Sequence, residues 1–390
     1  MQALLLFVAV FSAAINLRAG ISSVGAVLNE VLVDLNAPAS VAGIITAMPG
    51  AFFCIMGLCA VPLARRVGTT PTILGGAILT ALGLAIRPFS EAIGLFLVCT
   101  VGVVGGIAVA NVLLPAWIKQ HGIKHILALT MVYSGALGLS GAVGPLTALL
   151  SDSWRSALGL WAFPAALQVL VWLIVLFYVK VDVPRAGAQT ADLAGSMWRS
   201  PTAVALMLFF GLQSMNGYIE MGWLPKILVD AGVAPGVAAI GLSIIGFSGA
   251  VGGLLLPTVI ARVKSLTPWV IAFGGLTALG WLALLVAPAV APLTWSLVLG
   301  VGGWCFPLAI GLIPSRTRSP LVTAKLSGFV QPYGYVIAAL GPLLVGIAYE
   351  QLQSFAPILV VLILLAVLMG LVGIRGARSI YIDDELAAQR

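Results

Sequence analysis

Charge is what this sequence has least of. Only 8% of its 390 residues are Asp, Glu, Lys or Arg, and 61% are hydrophobic. A soluble domain carries roughly 25% charged residues. So few charges cannot keep the chain in water, so lipid must be the solvent for most of its length; the mean hydropathy of +1.15 agrees. Cysteine and histidine are scarce too. Cys54, Cys59, Cys99 and Cys305 all fall inside apolar runs without C-x-x-C spacing, which leaves them a packing role and excludes a redox or zinc framework. His121 and His125 are the only histidines. They stand i, i+4 in a basic stretch with no further ligand nearby and read as a solvated loop, not a metal site. No G-x-x-x-x-G-K-[ST] loop occurs, so ATP does not drive the chain directly. No nucleophile–base constellation is present either, so the chain is not read as an enzyme and no catalytic residue, metal or cofactor is expected. The absence of an N-x-S/T sequon is compatible with a bacterial protein.

What is present is a series of long apolar runs. Twelve are long enough to span a bilayer as helices: 3–33, 39–62, 70–88, 92–116, 126–150, 156–179, 201–226, 236–260, 269–287, 293–314, 322–347 and 355–374. They are continuous and do not alternate with a period of two, which excludes a barrel. The first run lacks the basic start of a cleaved signal and continues past Arg18, so it is read as a retained helix. The net charge of +7 is scattered in ones and twos between these runs, which argues for a topology signal and against nucleic acid. Arg65, Arg66, Lys119, Lys124, Lys180, Arg185, Arg199, Arg262, Lys264, Arg316, Arg318, Arg375, Arg378 and Arg390 fall on one side. Arg87, Arg155 and Lys226 fall on the other, with the acids Asp34, Glu91, Asp152, Asp230 and Glu350. Basic loops stay in the cytoplasm, so both termini are expected there, and a multi-pass protein of the cell inner membrane is implied.

The chain also repeats itself. Sliding it by 197 residues sets Pro38 on Pro235, Arg65 on Arg262, Gly83 on Gly280 and Lys119 on Arg316. Gly105-Gly106 falls on Gly302-Gly303, and Gly144-Pro145 on Gly341-Pro342, without a gap. Two parallel six-helix halves follow. The expected organisation is an N-terminal bundle over 1–180, a cytoplasmic linker over 181–200, a C-terminal bundle over 201–375 and a cytoplasmic tail over 376–390.

Polar groups inside the spans are costly and so are functional candidates. Arg18 lies near the middle of helix 1, and its planar fork of donors suits a carboxylate or small oxyanion; structural pairing is the competing reading. Asn16, two residues away, points about 200° from it on a regular helix. Both could face one cavity only if the helix breaks, with Gly20 as the expected place. In helix 7, Gln213, Asn216, Glu220 and Trp223 follow an i, i+3, i+7, i+10 pattern and form one stripe, expected to face a cavity, with Gln213 and Asn216 as candidate substrate contacts. Glu220 is the candidate proton carrier, against a boundary carboxylate paired with Lys226. In helix 11, Ser327, Gln331 and Tyr335 stack on one face. Helix 5, its repeat equivalent, offers Tyr133 and Ser140. Gln331, Tyr335 and Tyr133 are candidate substrate contacts, against a role as interhelical glue. Asn111 in helix 4 is ambiguous in the same way. Gly102 with Gly106, and Gly249 with Gly253, are GxxxG pairs expected to let helices approach closely.

The twelve-helix plan resembles the major facilitator superfamily, and within it the cyanate permease and 2-nitroimidazole transporter family. The resemblance is carried by Asn16-Leu17-Arg18, by Phe210-Gly211-Leu212-Gln213-Ser214 leading to Trp223-Leu224-Pro225, and by Leu326-Ser327-Gly328, Gln331, Gly334-Tyr335 and Gly341-Pro342. It implies an all-α membrane protein in which helices 1, 4, 7 and 10 with 2, 5, 8 and 11 line a central cavity, with Arg18 as the anion contact. One departure stands out. The superfamily's Gly-x-Leu-Ala-Asp-Arg-x-Gly between helices 2 and 3 reads here Val61-Pro62-Leu63-Ala64-Arg65-Arg66-Val67-Gly68, so Arg65 replaces the acid and a gate relying on that Asp must work differently. The functional expectation is a monomeric secondary active transporter of a small anionic solute, cyanate-like or a small carboxylate, working by alternating access. Protons are the candidate coupling ion, as in symport. The alternatives are efflux of a neutral or weakly acidic molecule such as a nitroimidazole, and a non-transporting sensor or channel.

Overall fold

The computed structural model describes residues 2–122, 124–179, 182 and 195–389. Lys180, Arg185 and Arg390, and most of the 181–200 stretch, lie outside the described residues. Among those described, eleven helices are long and apolar enough to cross a membrane, and Ala128–Val143 forms a shorter apolar twelfth. In order, helix 1 comprises Gln2–Ala14 and Asn16–Asp34, helix 2 Ala39–Val67, helix 3 Thr69–Ile86, helix 4 Ile93–His121 and helix 5 Ile126–Val143. Helix 6 comprises Trp154–Gly159 and Ala162–Tyr178; helices 7, 8 and 9 are Pro201–Asp230, Pro235–Arg262 and Thr267–Val286. Helix 10 comprises Pro292–Gly302 and Cys305–Ser315, helix 11 is Pro320–Leu352, and helix 12 is Ala356–Ala377.

Local chemistry explains several boundaries. Helices 7 and 11 each start with a serine cap followed by proline: Ser200 accepts from the Ala203 N–H, and Ser319 from the Val322 N–H. Proline at the first helical position lacks only an N–H that would be unpaired anyway. Helix 5 is shorter than the apolar run suggests. Pro145 ends it, and Pro145–Leu150 continues as a 3-10 turn. Helix 1 breaks at Ile15, one turn earlier than the expected site at Gly20.

The repeat is visible in the packing. Gly141 of helix 5 meets Gly246 of helix 8, where an added Cβ would fall 2.5 Å from the Gly141 backbone. A shift of 197 carries this pair to Ala338 of helix 11 and Pro49 of helix 2, and those helices meet one residue further on, where a Cβ on Gly50 would fall 2.8 Å from the Ala339 backbone and 3.2 Å from that of Ala338. Likewise Gly138 against Ala250 corresponds to Tyr335 against Phe53. Thr80 and Thr277, also 197 apart, each bond the carbonyl four residues back at 3.0 Å, and glycines of helices 4 and 10 pack on them. The GxxxG pairs fare differently. Gly106 packs against Gly76 and Thr80, whereas Gly249 and Gly253 have nothing within 4 Å. On helix 8 the close approaches belong to Gly246 and Gly252, the latter under Trp304.

The halves are sealed together at the end away from the termini. A Cβ on Gly25 would fall 1.9 Å from the Met221 carbonyl oxygen, one on Gly222 2.1 Å from Thr46, and one on Gly346 2.7 Å from Gly43. The Ser40 N–H donates to Glu350 at 2.9 Å, and Lys226 Nζ donates to Asn29 at 3.4 Å. Among the described residues, every hydrogen bond and ring contact joining the halves falls in the middle or toward this far end.

Several charged groups sit otherwise than the sequence suggests. Arg87 is no loop residue but is fully buried. His121 is not solvated; it ends helix 4, with Nε2 3.3 Å from Asp182 and Nδ1 3.1 Å from the Trp117 carbonyl. The tail folds back as a short helix, Ile382–Ala387, whose Ile382 and Leu386 are buried. Glu385 accepts from Ser200 and Thr202, and Asp384 pairs with Arg318.

Candidate functional site

The break in helix 1 builds the centre of the molecule. A helix start leaves its first N–H groups without intrahelical acceptors. Here Ser140 of helix 5, fully buried, caps the first turn, accepting from Arg18 N at 3.2 Å and sharing the Ala19 N–H at 2.8 Å. The same break separates Asn16 from Arg18. The Asn16 amide donates to the Ser12 carbonyl at 2.9 Å and to Pro164 of helix 6 at 3.2 Å, so it joins helices within one half. Arg18 points to the other half, with Nη1 3.7 Å from Met221 Sδ and its guanidinium carbon 5.9 Å from the Phe306 ring centre.

Aromatic side chains gather near this cation. Tyr133, Tyr218 and Tyr335, from helices 5, 7 and 11, lie within its electrostatic reach. Phe53 of helix 2 ties two of them together, with its ring centre 6.4 Å from Tyr218 and 5.4 Å from Tyr335. Tyr335 also stands edge-on to Phe210 at 5.1 Å. Tyr133 donates to Asn111 of helix 4 at 3.3 Å. Among the described residues no carboxylate lies within ion-pair distance of Arg18; the ion pairs are His121–Asp182, Arg155–Asp34, Lys226–Asp230, Arg318–Asp384 and Arg375–Glu385. Toward the sealed end, beyond the Met221 contact, lies a small cavity of about 20 Å³, lined among others by Gly20, Thr46, Thr100, Tyr218 and Met221. A planar guanidinium with free donors, phenol hydroxyls and ring faces can hold a small planar solute that carries oxygen acceptors.

The helix 7 stripe lies elsewhere. Gln213 Nε2 donates to the Gly303 carbonyl at 3.3 Å, and Asn216 Oδ1 accepts from the Trp281 indole N–H at 2.9 Å. Trp223 packs against Tyr349 and Phe355. Glu220 is 2% exposed, and Cys305 of helix 10 lies within its field. These four residues face the interior of the C-terminal half, not the cavity by Met221. The opposite side of helix 7, with Tyr218, Met221 and Gly222, faces the centre. Lys226 pairs with Asp230 at 3.0 Å, not with Glu220. On helix 11, Gln331 Nε2 donates to Ser327 Oγ at 2.8 Å within its own helix. Of the residues singled out in the sequence, Arg18, Tyr133, Ser140 and Tyr335 come together. Tyr218, Phe53 and Phe306 complete the group. No group of three or more His, Cys, Asp or Glu fit to hold a metal occurs among the described residues.

Comparison with known proteins gives three findings. A family model described as Major Facilitator Superfamily matches residues 6–342. The 2-nitroimidazole transporter of Escherichia coli is 34% identical over 319 residues, 78% of each chain, and the cyanate transport protein CynX of the same organism is 25% identical over 339 residues, 85% of this chain and 87% of that one. A bacterial homolog of the human lysosomal transporter Spinster, solved in an inward-facing and occupied conformation, shares the fold with a TM-score of 0.74, covering 98% of both chains at 16% identity.

Proposed function

The chain belongs to the Major Facilitator Superfamily and is a multi-pass membrane transporter; from that premise we propose that it is a secondary active transporter of a small planar anion, cyanate-like or a small carboxylate. The supporting observation is Arg18. It is a guanidinium at the meeting point of the two halves, with Tyr133, Tyr218 and Tyr335 near it and no carboxylate partner among the described residues. A cation kept at such depth without an acid is costly, and an arriving anion supplies the missing charge. The solute sits between Arg18 and the tyrosines. The halves, 1–180 and 201–375, rock about it, opening and closing the glycine seal at the far end while the linker spans them. On this reading both termini lie in the cytoplasm, which the basic loops favour, and the protein works as a monomer in the cell inner membrane. Glu220, buried without an ion-pair partner among the described residues, is the site where a proton would travel with the solute.

The test is uptake into proteoliposomes of labelled cyanate and of benzoate, with and without an inward proton gradient. Accumulation by the wild type and none by Arg18→Ala, with both proteins folded, supports the reading. Equal uptake by the two removes it. A second reading is favoured by the aromatic walls, Phe53, Phe306 and Tyr218, and by the 34% identical relative: efflux of a neutral nitroheterocycle that stacks on the rings. In that case Arg18→Ala still transports 2-nitroimidazole.

A further inference from the structure

Arg87 is the second deep cation of this molecule, and nothing assigned so far uses it. It stands in the 3-10 turn Arg87–Phe89 that leaves helix 3 and is 0% exposed. Both terminal nitrogens converge on one acceptor, the Gly20 carbonyl of helix 1, at 3.3 and 3.4 Å. Nε has no partner. The guanidinium carbon lies 5.7 Å from the Phe96 ring centre, and Cys99 is the group in its field. The other cations toward this end sit on acids, Arg155 on Asp34 and Lys226 on Asp230. Arg87 has no such partner among the described residues.

Burying a guanidinium without an anion is expensive. Holding helix 3 to helix 1 does not require it, because a neutral amide would serve the Gly20 carbonyl as well. What the charge adds is a field, and Gly20 shows where that field acts. Its carbonyl takes Arg87, and the same residue lines the cavity by Met221. Thr100, one turn beyond Phe96, lines that cavity too. The charge thus stands directly behind the cavity wall, in a low-dielectric interior that screens it weakly.

We propose that Arg87 is a specificity-determining residue: an uncompensated charge behind Gly20 that favours anions over neutral solutes in the cavity between helices 1, 2, 4 and 7 without touching them. The inference rests on the reading of Arg18 as the anion contact and adds a second source of the preference.

The experiment compares benzoate with benzamide, its neutral counterpart of the same shape, as ligands of the purified full chain, with dissociation constants from thermal-shift titration. Arg87→Gln keeps donors for Gly20 but drops the charge; Arg87→Lys keeps the charge but loses the fork. Arg87→Gln is expected to weaken benzoate about tenfold while leaving benzamide unchanged, since one moderately distant charge is worth on the order of a factor of ten at such a site. Arg87→Lys is expected to keep the wild-type ratio. A structural role moves both ligands together, and that result overturns the proposal. If Arg87→Gln does not fold, Arg87→Lys decides: loss of the benzoate preference in that variant sinks the idea. Wild type that does not distinguish the two ligands removes the anion reading at Arg18, and this inference with it. Loss of preference in Arg18→Ala with none in Arg87→Gln sinks the Arg87 proposal alone.

Discussion

Gly25 of helix 1 and Met221 of helix 7 meet backbone to backbone, so closely that a Cβ on Gly25 would stand 1.9 Å from the Met221 carbonyl oxygen. Gly222, 197 residues along from Gly25, makes the matching approach to Thr46 at 2.1 Å. The obstructing atom at Gly25 is main chain and cannot turn aside, so any side chain there wedges the two helices apart. Overpacking of this kind costs about 1–3 kcal/mol, enough to move a two-state equilibrium by roughly tenfold or more. Gly25→Val is expected to fold yet favour the state open at the far end. Labelling of Thr46→Cys, in a background lacking the native cysteines, by a membrane-impermeant thiol reagent should then rise about tenfold. Unchanged labelling would mean that this contact is not part of the seal.

Arg18 offers a second prediction. Charged hydrogen bonds are worth about 1.5–3 kcal/mol each, so Arg18→Ala should weaken a bound carboxylate roughly 10- to 150-fold. No acid is orphaned by the change among the described residues, so the melting temperature should hold. Arg18→Lys should recover only part of the affinity, because an ammonium cannot present the planar fork. Dissociation constants and melting curves for the three proteins check both halves of the claim.

The helices and the repeat were legible because lipid imposes a coarse rule: an uninterrupted apolar run is a span. Arg18 was legible for the same reason, as the rare charge within one. The helix 7 stripe was not. Helical spacing groups Gln213, Asn216 and Glu220 on one face but does not say what that face meets. A polar stripe directed at the indole of Trp281 and the carbonyl of Gly303 looks the same in sequence as one directed at solute. Tyr218 lies off that stripe and so carries no signal of its own. Phe53 and Phe306 carry none either, because an aromatic in an apolar run bears no mark of its partner. Arg87 looked like a loop residue because it follows a run directly, and only the fold shows Gly20 waiting for it.

Asn216 provides a third prediction. Its oxygen accepts from Trp281 and its nitrogen donates to the Leu212 carbonyl at 2.9 Å, so both ends are engaged inside the C-terminal half. Asn216→Leu leaves the fully buried Trp281 indole N–H without a partner, at a cost of about 1–3 kcal/mol. Lower thermal stability with unchanged solute affinity is expected. A loss of affinity at unchanged stability would return Asn216 to the solute site.

The tail helix supplies the last. Burial pushes the Glu385 carboxyl up, but hydrogen bonds from Ser200 and Thr202, with the nearby Arg375, outweigh it and hold the group below its ordinary 4.5. A carboxyl whose folded value is depressed stabilises docking fully above its unfolded value, and that contribution is lost as pH falls through the folded one. Docking of Ile382–Ala387 against the start of helix 7 should therefore be constant from neutral pH down to about the ordinary Glu value of 4.5 and weaken below it. Glu385→Gln cannot titrate and lacks the charge that Arg375 pairs with, so its tail should be looser at neutral pH and indifferent to acid. Quenching of a fluorophore attached at the chain terminus by Trp198, followed from pH 7 to pH 3, reads both effects. A wild-type profile as flat as that of Glu385→Gln would show that another contact, such as Arg318 with Asp384, holds the tail in place.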